Sequence, residues 1–375
     1  MKKIFIVLFF LWTMLPHPQV QAALISKQQE INMGKDVAAQ LENQYGLVHD
    51  DELQDRINRI GQNLVQYCGR KDLNYTFKVL NSQDVNAMAC PGGFIYVFKG
   101  LIDLMPSDDE LAGVIGHEIG HIVKRHTVHQ VEKQLALSLL TIIAAAGSGD
   151  AGAGLVLAST TSQALMAGYS RHDEGEADMQ GIDLTEKAGY NPYSIYITMC
   201  KLDDLSKEKS VPDYGIFASH PDTATRKVKA LKALEPLHIT PIVTMNADGS
   251  WTVSDTNWRF VFNNGAGSDK PEYRARLMAG AMYVIKQHKP IDETHFITAD
   301  SDNYSDVYYE NTKILRVFQQ DCPPNVGFSD YAATLAAKLQ QWAVTMNKPA
   351  VVIKQTVDKT MLNKTTVHKQ GGKAA

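Results

Sequence analysis

Cysteine is scarce, with four in 375 residues. That number cannot staple a disulfide scaffold, and a chain of this length buries enough apolar surface to need none. No two of the four stand in CxxC spacing, which removes a cysteine zinc site and a thioredoxin-like redox role. A basic surplus is missing too, the formal net charge being -4. Nucleic-acid binders carry the opposite balance, so no nucleic-acid partner is expected. No internal repeat is present. With 44% hydrophobic and 21% charged residues the composition is globular, neither disordered nor collagen-like. The length suggests two domains.

Long apolar runs are also lacking: a membrane helix needs about 20 residues, and both candidates fall short. Ile4 to Leu15 follows Lys2 and Lys3, is broken by Pro16 and Pro18, and leads into Val20-Gln21-Ala22. This is the form of a cleavable signal peptide over residues 1–22, with no cysteine after it for a lipoprotein anchor. The mature protein is therefore expected in a bacterial periplasm. Leu135 to Ala146 is stopped by Gly147-Ser148-Gly149-Asp150. It reads as a helical hairpin, with peripheral membrane contact through 135–160 as the alternative. In an exported protein Cys68, Cys90, Cys200 and Cys322 are an even set, open either to disulfides or to burial as free thiols.

What is present begins with helix signals. Ser26-x-x-Gln29 is a capping box, predicting a helix to Tyr45 closed by Gly46. A second helix is predicted over Asp51 to Tyr67. Tyr75 to Leu80 and Phe94 to Phe98 read as strands, the latter introduced by the turn Cys90-Pro91-Gly92-Gly93. Ser107-Asp108-Asp109-Glu110 caps the next helix, its acids suited to the helix dipole. Helical pattern resumes from about Ser162 to Ala188. Beyond Leu237 the pattern changes. Strands are predicted at Thr240 to Met245, Trp251 to Val253, Trp258 to Phe262, Ile314 to Phe318 and Ala350 to Lys354. Helices are predicted at Pro271 to Gln287 and Ser329 to Met346. A separate α+β domain is thus expected over 237–357, followed by a flexible basic tail over 358–375.

His117-Glu118-Ile119-Gly120-His121 carries the chemistry. Positions i and i+4 of a helix share a face, so both imidazoles can reach one cation. Glu118 stands beside them as a base for metal-bound water, the HExxH zinc-hydrolase arrangement. A third protein ligand is needed. The metzincin pattern fails, since Lys124 and Thr127 occupy its Gly and His positions. The gluzincin pattern takes a glutamate from a later helix, and Glu174 in Arg171-His172-Asp173-Glu174-Gly175-Glu176-Ala177-Asp178 supplies it. Asp178, one turn on, would accept a hydrogen bond from a ligand histidine, His117 first. Glu176 lies on another face. His126, His129 and His172 are off the ligand spacing and read as ordinary surface histidines.

These residues resemble the M48 zinc metallopeptidases. The resemblance rests on HEIGH at 117–121 and on Ser170-Arg171 with Glu174-x-Glu176-Ala177-Asp178. It rests also on Asn86-Ala87 with Pro91-Gly92-Gly93-Phe94-Ile95-Tyr96-Val97 and Gly100-Leu101, and on Ser219-His220-Pro221 with Arg226. It spans about residues 26–235, and without the transmembrane helices of other members it points to the soluble, exported branch. The fold implied is α+β, a mostly helical gluzincin-type domain over 23–236 with a small edge-strand sheet. It implies one Zn2+ held by His117, His121 and Glu174. Phe94, Ile95 and Tyr96 would lie on an edge strand that pairs with substrate, with Asn86 and Ala87 holding the peptide backbone. His220 would either occupy the open metal position or, like Arg226, stabilise the oxyanion; a purely structural contact is the third reading. Cys90, just before the strand, is open to a further role as an inhibitory thiolate. The function implied is cleavage of extended or misfolded polypeptides, outer-membrane proteins among them, in envelope quality control. The alternative is a latent, chaperone-like member that acts mainly by binding, its site closed by His220 or by 135–160.

Overall fold

Ser26 opens the first helix as its spacing from Gln29 predicts, each side chain satisfying the other's backbone N–H. Helix α1 runs Lys27–Tyr45, and Gly46 closes it at φ +68°, where a side chain would be strained. The computed structural model describes residues 24–145, 160–164, 167–209, 220, 223–263, 265 and 269–348. The expected signal peptide, residues 146–159 of the apolar segment, Ser219 and Pro221, the expected strand Ala350 to Lys354 and the tail lie outside the described residues.

Helix α2 (Asp51–Val65) buries Ile57, Ile60 and Leu64 against a three-stranded sheet. Its strands are β1 (Thr76–Leu80), β2 (Ala87–Cys90) and β3 (Phe94–Phe98), in the order β1-β3-β2. This corrects the expectation that Phe94, Ile95 and Tyr96 form an edge. The Pro91-Gly92-Gly93 turn folds β2 back antiparallel on β3, and β1 takes β3's other side in parallel register. Both flanks of β3 are therefore spent. The strand with an unshared flank on this side is β2, whose small residues gave no strand signal in the sequence.

Helices α3 (Lys99–Leu104), α4 (Asp108–Val123) and α5 (His126–Ala145) follow. Ser107 and Glu110 form the predicted capping box on α4, which is buried on all sides. The expected helical run from 162 to 188 is instead two pieces, a turn at 160–164 and α6 (Arg171–Lys187). Gly168 at φ +75° and a capping box from Ser170 to Asp173 make the break. Helices α4 and α6 approach backbone to backbone. A Cβ on Gly120 would sit 2.8 Å from the Ala177 carbonyl oxygen, so only glycine allows this spacing. Helices α7 (Ser194–Lys209) and α8 (Thr223–Leu234) complete this half. Among the described residues no helix is long and apolar enough to cross a membrane.

The C-terminal region is α+β. It holds the meanders β4 (Ile242–Met245), β5 (Trp251–Asp255), β6 (Trp258–Phe262) and β7 (Phe296–Asp300), β8 (Tyr304–Tyr309), β9 (Thr312–Phe318). Helices α9 (Pro271–Gln287) and α10 (Phe328–Met346) pack on them. Its core is not closed off at residue 237. Ile195, Ile197 and Met199 of α7 and Ala230 and Leu234 of α8 belong to the same buried cluster as Phe260, Met278 and Trp342. All four cysteines are free thiols, so the disulfide alternative is not realised.

Candidate metal centre

Tight packing of α4 on α6 sets two helix faces against each other. His117 and His121 stand one turn apart on α4, and their Nε2 atoms lie 3.0 Å from each other. Glu174 reaches in from the first turn of α6, its carboxylate oxygens 3.4 Å from His121 Nε2 and 3.6 Å from His117 Nε2. His220 arrives from the chain before α8, with Nδ1 2.9 Å from Glu174 Oε1 and 3.2 Å from His117 Nε2. Ligand atoms of all four residues fall within 4.8 Å of one another, and all four side chains are buried.

The donor set fits a cation. His117 Nδ1 is 2.9 Å from Asp178 Oδ1, so its proton belongs there and Nε2 presents a lone pair. Three ring nitrogens crowd within 3.2 Å of His117 Nε2 or at it, beside a carboxylate, which is a cluster of lone pairs in need of one shared electrophile. Glu118 is buried, and its Oε2 has no hydrogen-bond partner among the described residues. A free acceptor atom at the rim of such a set is where a proton-donating water belongs.

Electrostatics are strongly uneven. Burial pushes the Glu118 carboxyl up, while charge on His220 and His117 and a backbone hydrogen bond from Ala89 pull the other way; the net shift is upward. Burial would raise Glu174 as well. There the His220 charge and hydrogen bonds from His121 and His220 win, and its carboxyl stays well below the usual range. Burial holds His121 well below the ordinary imidazole value despite Glu174, leaving it neutral and able to ligate.

Arg226 departs from the expected oxyanion role. Its Nε and Nη2 grip Asp178 at 2.8 and 2.7 Å, and Nη1 meets Glu174 Oε2 at 2.6 Å. A buried guanidinium needs carboxylates, and it clamps the pair that holds the ligand set. Asn86 is buried, with its side-chain oxygen accepting the Ala87 N–H. Tyr96 turns into the core, where its hydroxyl meets Glu42 at 2.6 Å; Phe94 and Ile95 pack on either face of the same sheet. Of the five residues expected to hold substrate, Ala87 is on β2, and β2 is the strand that touches the site, through Ala89 and Glu118. Cys90 is fully buried, burial pushes its thiol up, and it is not among the clustered ligand atoms.

Two participants escaped the sequence. His126 is buried rather than on the surface, and its Nδ1 is 2.9 Å from Nδ1 of His121. In one continuous helix five residues would turn it away by about 140°. Arg125 instead takes φ +59° and starts a new helix, which folds His126 back beneath His121. Tyr169 stacks on the His121 ring at 3.7 Å. No spacing rule announces a residue from so distant a loop. His129 and His172 are exposed, as expected.

A cavity of about 30 Å³ borders His117, Glu118 and His220. It has room for a water or two.

The model of peptidase family M48 matches residues 51–235. The beta-barrel assembly-enhancing protease of Escherichia coli (strain K12) is 29% identical over 220 residues, 55% of this chain and 44% of that protein. Metalloprotease LoiP of Escherichia coli (strain K12) is 30% identical over 179 residues, 47% of this chain and 69% of LoiP. Metalloprotease YcaL of the same strain is 32% identical over 181 residues, 46% of this chain and 66% of YcaL. The chain thus spans less than half the length of the first of these relatives and about two thirds of the other two.

Proposed function

Because the chain belongs to peptidase family M48, we propose that it is a zinc-dependent endopeptidase with His117, His121 and Glu174 as ligands and Glu118 as general base. The convergence of buried His117, His121 and Glu174 between α4 and α6, with Glu118 buried next to His117 on α4, carries the reading. A divalent cation held there would supply a polarised water and positive charge for the scissile carbonyl oxygen. The remaining work falls to the chain. Asp178 fixes the His117 tautomer, and Arg226 holds Asp178 and Glu174 in place. Glu118 takes the proton of the attacking water and hands it to the leaving amine. Its upward shift brings it nearer the pH at which a base can also act as an acid. Substrate would lie as an extended strand against β2, which favours unfolded or misfolded chains. By likeness to a relative named for enhancing beta-barrel assembly, outer-membrane proteins are the proposed clients. The signal-peptide pattern of residues 1–22 would deliver the enzyme to the periplasm.

His220 supports a second element of this reading. It sits among the ligands, where the attacking water or the scissile carbonyl oxygen would have to stand. This conformer is the resting one, and cleavage requires His220 to leave. Zinc content and casein cleavage test both points. Glu118→Gln should keep zinc and lose at least about 100-fold in rate. His220→Ala should keep zinc and cleave faster than the parent chain. A preparation that binds no zinc sinks the assignment, and a His220→Ala variant slower than the parent sinks latency.

A further inference from the structure

His126 belongs to no motif of the sequence. Its surroundings dictate its task. Two imidazole nitrogens 2.9 Å apart, Nδ1 of His121 and Nδ1 of His126, must share one proton between them. His121 points its other nitrogen at His117 and Glu174, so as a ligand it keeps Nε2 bare and carries its proton on Nδ1. His126 must then accept at Nδ1 and carry its own proton on Nε2. Carboxylates wait for that proton: Glu176 Oε2 at 3.4 Å and Asp173 Oδ1 at 3.8 Å. Lys124 steadies Glu176 from the outside at 3.3 Å.

We propose that His126 is a positioning residue for the metal site, the middle of a relay from Glu176 through His126 to His121 that fixes the ligating tautomer and ring angle of His121. The site then has two supports of different build. His117 is oriented by a carboxylate directly, Asp178. His121 is oriented by a carboxylate at one remove, through a neutral ring. The elements agree with this. Glu176 and Asp173 ride on α6, the helix that also brings Glu174, so one rigid element carries a ligand and the far anchor of another ligand. Tyr169 closes the open face of His121 and leaves its in-plane Nδ1 to His126.

The inference rests on the proposed metal site, and zinc affinity measured by chelator competition on the full chain separates the two. His126→Phe keeps a ring in the space but removes the acceptor. His126→Asn gives up the ring and places an amide oxygen near the position of Nδ1. Loss of such an outer partner lowers metal affinity about 10- to 100-fold. The Phe variant should show that loss, and the Asn variant should stay within about threefold of the parent. Phe at parental affinity, or Asn falling as far as Phe, overturns the proposal. A parent chain that binds no zinc instead overturns the metal site itself. Should the variants fail to fold, nitrogen-15 spectra of the histidine rings in the zinc-loaded parent decide the matter. His126 protonated on Nε2 supports the relay, and His126 protonated on Nδ1 refutes it.

Discussion

Asp109 shows how one carboxyl can set a pH dependence away from the metal. It lies in the first turn of α4 and accepts the Asn191 N–H at 2.9 Å. Burial, opposed by that bond and reinforced by the charges of Glu110 and Asp108, pushes it up to about 6 from 3.8. An acid that binds its proton more tightly when folded stabilises the fold most below its unfolded pKa. Its contribution should therefore fall as pH rises from about 4 to 6, and stay level above that. Asp109→Asn keeps an acceptor for Asn191 and removes the charge. It should flatten this segment and raise stability at pH 7 by on the order of 2 kcal/mol, read from urea midpoints at pH 4, 5, 6 and 7. Single residues were also where the sequence spoke most clearly. His117, Glu118 and His121 follow from helix periodicity, which spacing reports, and the structure brings His117 and His121 together with Glu174. The contacts of Arg226 with Asp178 and Glu174 were not legible, because a charge near a metal motif does not reveal which way it points. His126 was missed because its approach depends on one backbone angle at Arg125.

The corner that produces that angle is held by another element. Glu30 of α1 is buried, and it binds Arg70 at 2.7 Å and Arg125 at 3.1 Å; Arg125 also donates to the Ile25 carbonyl. A non-glycine residue at positive φ persists only when its surroundings hold it there. Glu30→Ala would take away the carboxylate shared by Arg70 and Arg125, leave them only the Ile122 and Ile25 carbonyls and the more distant Asp72, and release the corner between α4 and α5. A loss of about 3 kcal/mol is expected, together with weaker zinc binding, since His126 hangs from the same corner. Thermal unfolding and chelator competition on this variant check both; an unchanged zinc affinity would separate the corner from the site. Helix starts marked by a capping box, as in α1 and α4, or by an N-terminal proline, as in α9, were legible. The order of the strands was not. Alternation and turn residues identify a strand, whereas which neighbour covers it is settled by the parallel pairing of β1 with β3, whose connection holds β2, and this leaves no local trace.

At the level of the whole molecule the question is what joins the peptidase half to the region after it. Lys201 of α7 is almost wholly buried, between Glu110 of α4 and Asp269 just before α9. Burial would drive its proton off, but the two carboxylates outweigh that and keep it charged. Lys201→Met fills the volume and leaves two acids facing each other. It should cost about 3 kcal/mol in unfolding free energy, and a melting temperature equal to the parent's would show the bridge to be idle. The sequence pattern changes near Leu237, and the strands and helices after it form the α+β region. It could not report that α7 and α8 share their apolar faces with that region, because a periodic stripe does not say which partner buries it.

That shared core bears on anyone who would cut the gene. The family match stops at residue 235, an inviting place for a stop codon. A chain ended there would present Ile197, Met199 and Leu234 bare to solvent and leave Lys201 facing Glu110 alone. Sticky, poorly soluble material is the outcome to expect from it. The smallest stable unit of this protein is longer than the stretch that the family model matches.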